Sequence, residues 1–178
     1  MIKIIKADGA EKQFLADVEK RAGEVNADVE KIVRGILADV KENGDSAVKS
    51  YTAKFDCPNA QYYRVPDEAI NDALTEANEK CPDFVNAMLN AVENITAFHT
   101  RQKREGFCVT EANGVMMGQR VRGLDKVGLY VPGGTAAYPS TVLMDSIPAK
   151  IAGCREVVIT TPPGADGKVN PVILAAAK

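Results

Sequence analysis

Val127-Gly-Leu-Tyr-Val-Pro-Gly-Gly-Thr-Ala-Ala-Tyr-Pro-Ser-Thr-Val-Leu-Met144 changes character twice within one short span. Val127 to Val131 is a compact apolar run and predicts a strand. Pro132-Gly133-Gly134 ends it in a turn. Val142, Leu143, Ile147 and Ile151 then recur at helical spacing. Strand, glycine turn and helix in that order is the layout of nucleotide-binding α/β proteins. Glycine lets the backbone approach a ligand closely, and a helix N-terminus favours an anion.

Downstream the alternation continues. Glu156 to Thr161 reads as a second strand, Pro162 to Val169 as a loop, and Asn170-Pro171 as the start of a helix. This is a parallel βαβα arrangement. Upstream, Phe107 to Val121 reads as a β-hairpin, with Asn113-Gly114 as a type I′ turn. The first half of the chain is helical. Val29, Ile32, Val33, Ile36, Leu37 and Val40 make one apolar face between Asn26, a candidate N-cap, and Gly44, a candidate C′ residue. Asp45 to Phe55 predicts a helix with Ala47, Val48, Tyr51 and Phe55 inward. Val65-Pro66-Asp67-Glu68 starts another, with Ile70, Ala73, Leu74 and Ala77 as its face. Pro82 restarts the chain as a long helix to about Arg104, striped by Val85, Met88, Leu89, Val92, Ile95 and His99. Residues 1–6 suit a short edge strand and 11–22 a short amphipathic helix.

Composition narrows the class. The chain has 178 residues, a net charge of −2 and a pI near 5.5. No basic stripe argues for nucleic acid. No apolar run approaches the roughly 20 residues that cross a bilayer. Met1-Ile-Lys-Ile-Ile-Lys6 is too short and polar for a signal peptide, so the expected location is the cytoplasm. Cys57, Cys81, Cys108 and Cys154 form no C-x-x-C pair, and the expectation is four reduced thiols packed mostly as small hydrophobes. With one histidine, His99, no zinc set and no Ser-His-Asp grouping can be assembled.

Few residues invite a chemical reading. Taken alone, Gly133-Gly134 is more often a tight turn than a ligand site. Tyr130 strengthens the case, because ligands of open α/β sheets sit at the carboxyl ends of strands. Its ring could stack on a nucleotide; otherwise it is a half-buried strand aromatic. Ser140 could bind a ligand beside exposed amides, but capping the following helix is the preferred role. Asp145 reads as a solvated residue on the outer helix face. Pro148 should break or kink the helix. His99 reads as a hydrogen-bonded core or interface histidine.

Several segments together resemble histidinol dehydrogenase. They are Val127 to Ser140, Val142-Leu-Met, Pro148-Ala-Lys-Ile-Ala-Gly153, Thr161-Pro-Pro-Gly, Asp166-Gly-Lys-Val-Asn-Pro171 and Ala175-Ala-Ala. Asn43-Gly-Asp-Ser-Ala47, Lys54-Phe-Asp56 and Asn94-Ile-Thr-Ala-Phe-His-Thr-Arg-Gln102 are similar to the family as well. The resemblance covers nearly the whole chain and is sharpest over residues 94–178.

That resemblance implies an enzyme that oxidises L-histidinol to L-histidine through an aldehyde, with two NAD⁺, in histidine synthesis. It implies a zinc-dependent homodimer whose larger domains are incomplete Rossmann-like, aldehyde-dehydrogenase-like folds. Tyr130 matches the family's NAD-contacting tyrosine, and Pro132 lies beside it. Family members are more than twice this length, and the family's zinc ligands, catalytic pair and most substrate contacts fall past the position of Lys178. No catalytic or metal residue is therefore assigned in this chain. The helix still running at Lys178 and the two parallel strands suggest the N-terminal part of such an enzyme, inactive by itself and exposing apolar sheet surface. The expected division is an arm at 1–25, a helix-rich part with the hairpin at 26–126, and the start of an NAD-binding domain at 127–178. The alternatives are a non-catalytic nucleotide- or partner-binding module, and a more distant aldehyde-dehydrogenase-like enzyme. The last would need a reactive cysteine beside the cofactor, and Cys154 sits instead between a helix and the strand it feeds.

Overall fold

The computed structural model describes every residue except 1–3, 6, 24–26, 62 and 134–136. The Asn26 cap and most of the 1–6 strand lie outside the described residues; Ile4 and Ile5 belong to no helix or strand. The chain divides into two compact units, Met1–Ser50 and Tyr51–Lys178.

The first unit is helical. α1 spans Ala10–Gly23 and α2 spans Ala27–Asn43. Gly44 follows with φ +55 and its N–H on the Val40 carbonyl, the expected left-handed stop. The apolar face of α2 has helical period, yet none of its residues is buried; Val29, Ile32, Val33 and Leu37 are exposed. α3, Asp45–Phe55, crosses the boundary after Ser50; it buries Ala47 and half-buries Tyr51, while Val48 and Phe55 are exposed against expectation. Phe55 instead stacks on Tyr51 one helical turn away.

The second unit is α/β. α4 spans Asp67–Lys80, with Pro66 as the residue before the helix rather than its first. α5 spans Pro82–Thr100 and stops four residues short of Arg104. Arg101 caps it, and the next N–H groups turn back on the Phe98, His99 and Thr100 carbonyls. Its stripe is half-buried except for Leu89, which is exposed.

β1 (Phe107–Thr110) and β2 (Met116–Gln119) form the hairpin, antiparallel with Val109 opposite Met117. Its turn differs from expectation. A type I′ turn needs positive φ at both central residues, and only Gly114 has it, at +85. The Gly114 N–H bonds the Glu111 carbonyl, and the Glu111 N–H bonds the Val115 carbonyl. That is a three-residue loop closed by a glycine bulge, and Asn113 serves it with its side chain, accepting from the Val115 N–H at 3.0 Å.

β3 (Lys126–Tyr130), α6 (Pro139–Ile151), β4 (Glu156–Thr160) and α7 (Pro171–Ala177) complete the βαβα unit. β3 and β4 are parallel, with Val127 opposite Val157 and Tyr130 opposite Thr160. Val127, Leu129, Val157 and Ile159 are half-buried while their neighbours face outward, the period of two that a strand imposes. Val131, Val142 and Ile173 form the core, with Ala137, Ile159 and Ala176 packed against them. Asn170 caps α7 by accepting from the Val172 N–H at 2.9 Å.

Two residues of α6 depart from expectation. Pro148, expected to break or kink the helix, does not break it; the helix runs on to Ile151, and the Ala152 N–H bonds the Pro148 carbonyl. Met144, which loses its donor, is an exposed residue where water can replace the missing N–H. Asp145 is half-buried rather than solvated, because α5, α7 and both strands enclose α6. The thiols also differ: all four are free, but Cys81 and Cys108 are exposed, Cys154 is half-buried and Cys57 alone is buried.

Candidate functional site

The carboxyl ends of β3 and β4 lie side by side because the strands are parallel and in register. The Val131 N–H continues the ladder by donating to the Thr160 carbonyl at 2.9 Å. Val131 itself is fully buried, which fixes the base of the turn that follows. From there the chain leaves β3 through Pro132-Gly133 and leaves β4 through Thr161-Pro162.

These two exits press together. A methyl group placed on Gly133 would lie 2.9 Å from the Pro162 carbonyl oxygen and 3.0 Å from Thr161 Oγ1. Only glycine allows that approach without displacing backbone. The Thr161 Oγ1 is buried and has no hydrogen-bond partner among the described residues. Gly134 lies outside the described residues.

Tyr130 and Pro132 are both at this end of the sheet. Tyr130 is 62% exposed and points away from the core side of β3, so its ring is open to a ligand. Pro132 is half-buried. Tyr138, not Ser140, occupies the N-cap position of α6, and its side chain makes no capping bond. Ser140 lies within the first turn and is exposed, so the capping role does not hold. The site thus offers a flat aromatic face, a glycine turn and a helix start. None of the side chains just named is a carboxylate, imidazole or thiol.

Thr161 and Pro162 were not singled out by sequence reasoning. A signal was available: they follow the second parallel strand as Val131 and Pro132 follow the first.

The remaining candidates lie elsewhere. His99 is half-buried at the end of α5, with Nδ1 2.7 Å from Gln102 Oε1 and its ring edge-on to Phe98. It lines a small cleft with Pro148, Ile151 and Ala152, at the opposite end of α6 from Tyr138. Thirteen helical residues separate those ends by roughly 20 Å. Cys154 sits past the same far end of α6, at the start of β4. Among the described residues, no group of three or more His, Cys, Asp or Glu could hold a metal ion. Zinc therefore has no fit here.

β4 is flanked by two open, mainly apolar grooves. One, of about 550 Å³, runs between α5, α6 and β4; the other, of about 320 Å³, lies between Tyr63–Ile70, β4 and α7. Val158 on the outer face of the sheet is exposed. Apolar surface around this two-stranded sheet is thus uncovered, as the sequence suggested. No helix among the described residues is long and apolar enough to cross a membrane.

Comparison with known proteins decides the family. The sequence pattern described as histidinol dehydrogenase matches residues 19–178. The chain belongs to the histidinol dehydrogenase family. It is 45% identical to the histidinol dehydrogenase of Clostridium acetobutylicum over 178 residues, covering 99% of this chain and 41% of that protein. It is 50% identical to the histidinol dehydrogenase of Methanocaldococcus jannaschii over 145 residues, covering 81% of this chain and 33% of that one. The crystal structure of histidinol dehydrogenase from Elizabethkingia anophelis superposes with a TM-score of 0.74 at 34% identity, over 86% of this chain and 35% of that chain. The matches cover the N-terminal part of the relatives. The chain spans about two fifths of the length of the curated histidinol dehydrogenases that it matches over nearly its whole length.

Proposed function

We propose that this chain supplies one wall of the NAD⁺ site of a histidinol dehydrogenase, the enzyme that converts L-histidinol to L-histidine. The observation that carries the reading is the Tyr130-Val-Pro-Gly133 stretch. It lies at the carboxyl end of a parallel strand pair, where α/β sheets bind nucleotides. Residues 127–178 begin a Rossmann-like, aldehyde-dehydrogenase-like domain, after an arm at 1–25 and a helix-rich part with the hairpin at 26–126.

The residues fit a nucleotide. Tyr130 presents an exposed ring for stacking, and Pro132, two residues on and half-buried, adds a rigid apolar residue to the same strand exit. Gly133 removes the side chain that would separate the two strand exits. When bound, NAD⁺ accepts hydride from the substrate. The part of this chain is to hold and orient the cofactor. Zinc, the acid–base pair and most histidinol contacts belong to sequence that this chain does not include, as does the completion of a homodimer. By itself the 178-residue chain is therefore inactive.

The test is the intact mass of the product of the complete gene, together with histidinol-dependent NADH formation with and without added zinc. Zinc-dependent activity in a product more than twice this mass, lost on Tyr130→Ala through a raised KM for NAD⁺, is the expected result. A product ending at Lys178 that binds no NAD⁺ would overturn the reading. If it bound NAD⁺ without turnover, a non-catalytic nucleotide module would replace it.

A further inference from the structure

We propose that Thr161 is a positioning residue for the cofactor: its hydroxyl holds the Gly133 turn in the arrangement that receives NAD⁺. This deepens the reading above and rests on it.

The starting point is an oxygen without a partner. Thr161 Oγ1 is buried and forms no hydrogen bond among the described residues. A buried hydroxyl left unpaired costs stability, and packing does not require it here, because valine would fill the same space. The oxygen is already covered by this chain, so nothing outside it touches Oγ1 unless the turn moves.

The two strand exits limit what the hydroxyl can bond. They are Val131-Pro132-Gly133 and Thr161-Pro162-Pro163, and three of these six residues are prolines, which have no N–H. The Val131 N–H is committed to the Thr160 carbonyl at 2.9 Å. That leaves Gly133, whose N–H makes no backbone hydrogen bond among the described residues. Gly133 is also the residue pressed against the hydroxyl: a methyl group on it would lie 3.0 Å from Thr161 Oγ1.

A small rotation joins the two. The ring fixes φ at Pro132, so the Pro132–Gly133 peptide turns through ψ of Pro132 and φ of Gly133. Glycine accepts the new angle without a steric penalty. The Val131–Thr160 bond anchors the strand side, and the movement starts at Pro132. In the free chain the hydroxyl and the N–H stay apart. A nucleotide lying against Tyr130 and Pro132 holds the turn in the second arrangement, where Gly133 N–H donates to Thr161 Oγ1. A bond made only in the bound state strengthens binding; one made equally in both states would not. Thr161 does not touch the cofactor and acts through Gly133.

The complete gene product tests this, with NAD⁺ affinity read by calorimetry and stability by chemical denaturation. Thr161→Val should raise the denaturation midpoint without NAD⁺ and yet weaken NAD⁺ binding about tenfold, with the KM for histidinol unchanged. Thr161→Ser keeps the hydroxyl and should keep most of the affinity. Amide exchange at Gly133 should slow on adding NAD⁺ to the wild type and not to Thr161→Val. Stability and affinity lost together would make Thr161 a packing residue and overturn the proposal. Wild-type affinity in Thr161→Val, or a serine variant as weak as the valine one, would also overturn it. Tyr130→Ala separates the two readings. If it leaves NAD⁺ binding intact, the cofactor site is wrong and the role of Thr161 falls with it. If it weakens binding while Thr161→Val does not, only the role of Thr161 falls.

Discussion

Val131 donates its backbone N–H to the carbonyl oxygen of Thr160 at 2.9 Å, one residue past the last paired position of β3. This bond carries the parallel ladder into the turn. It ties the exit of one strand to the exit of the other, so Gly133 and Thr161 are held against each other.

Gly133→Ala should therefore be costly out of proportion to one methyl group. The new carbon meets the Pro162 carbonyl at 2.9 Å, and backbone must shift to admit it. Overpacking of this kind costs about 1–3 kcal/mol. Chemical denaturation should show that loss. NAD⁺ titration of the complete enzyme should show weaker binding than the stability change alone explains.

Thr161→Val should act in the opposite direction. It keeps the shape and removes a buried hydroxyl that has no partner among the described residues. Relieving such a group stabilises by about 1–3 kcal/mol. A raised midpoint in denaturant is expected for the isolated chain. Unchanged or lowered stability would mean that the hydroxyl is bonded in solution.

Ile173→Ala should open a cavity beneath the same turn, since Ile173, Val131 and Val142 form one cluster. Ile173 is almost fully buried, and truncations of this type cost about 2–5 kcal/mol. Thermal unfolding followed by circular dichroism should register it. A loss under 1 kcal/mol, roughly the value for a surface change, would contradict the core assignment.

The pH dependence of α4 has a defined sign. Lys80 hydrogen-bonds Glu76 at 2.5 Å; this bond and then its charge hold the Glu76 carboxyl below the usual range and raise the lysine. A carboxyl with a depressed folded pKa contributes stability above its unfolded pKa and loses it as pH falls through the folded value. Helix content around Glu76 should thus decline on acidification through the carboxylate range. Glu76→Gln should flatten that decline. Both groups are exposed, so the effect is small and salt-sensitive.

Much of this architecture was legible because period carries it. The apolar runs within Val127–Val131 and Glu156–Thr161 and the spacing of Val142, Leu143 and Ile147 gave the βαβ unit directly. What covers each face was harder to see. The pattern in α2 is helical, but periodicity only says that a face wants cover. Turn chemistry misled at Asn113-Gly114, where the same dipeptide serves a different loop with one left-handed residue instead of two. Pro148 does not break α6 because an exposed carbonyl can do without its donor. Tyr130 stood out because it sits on a strand whose end is marked by glycine. Thr161 was missed because nothing local in Thr-Pro-Pro-Gly announces a contact with Gly133; only the parallel register brings them together.

His99 is the single histidine of this sequence and lies at the seam between α5 and α6. A lone imidazole gives a single Cε1-proton resonance, downfield of the phenylalanine and tyrosine ring protons once the amides are exchanged for deuterium. Its chemical shift and exchange rate would follow the opening and closing of that helix seam in real time, without a label or a substitution.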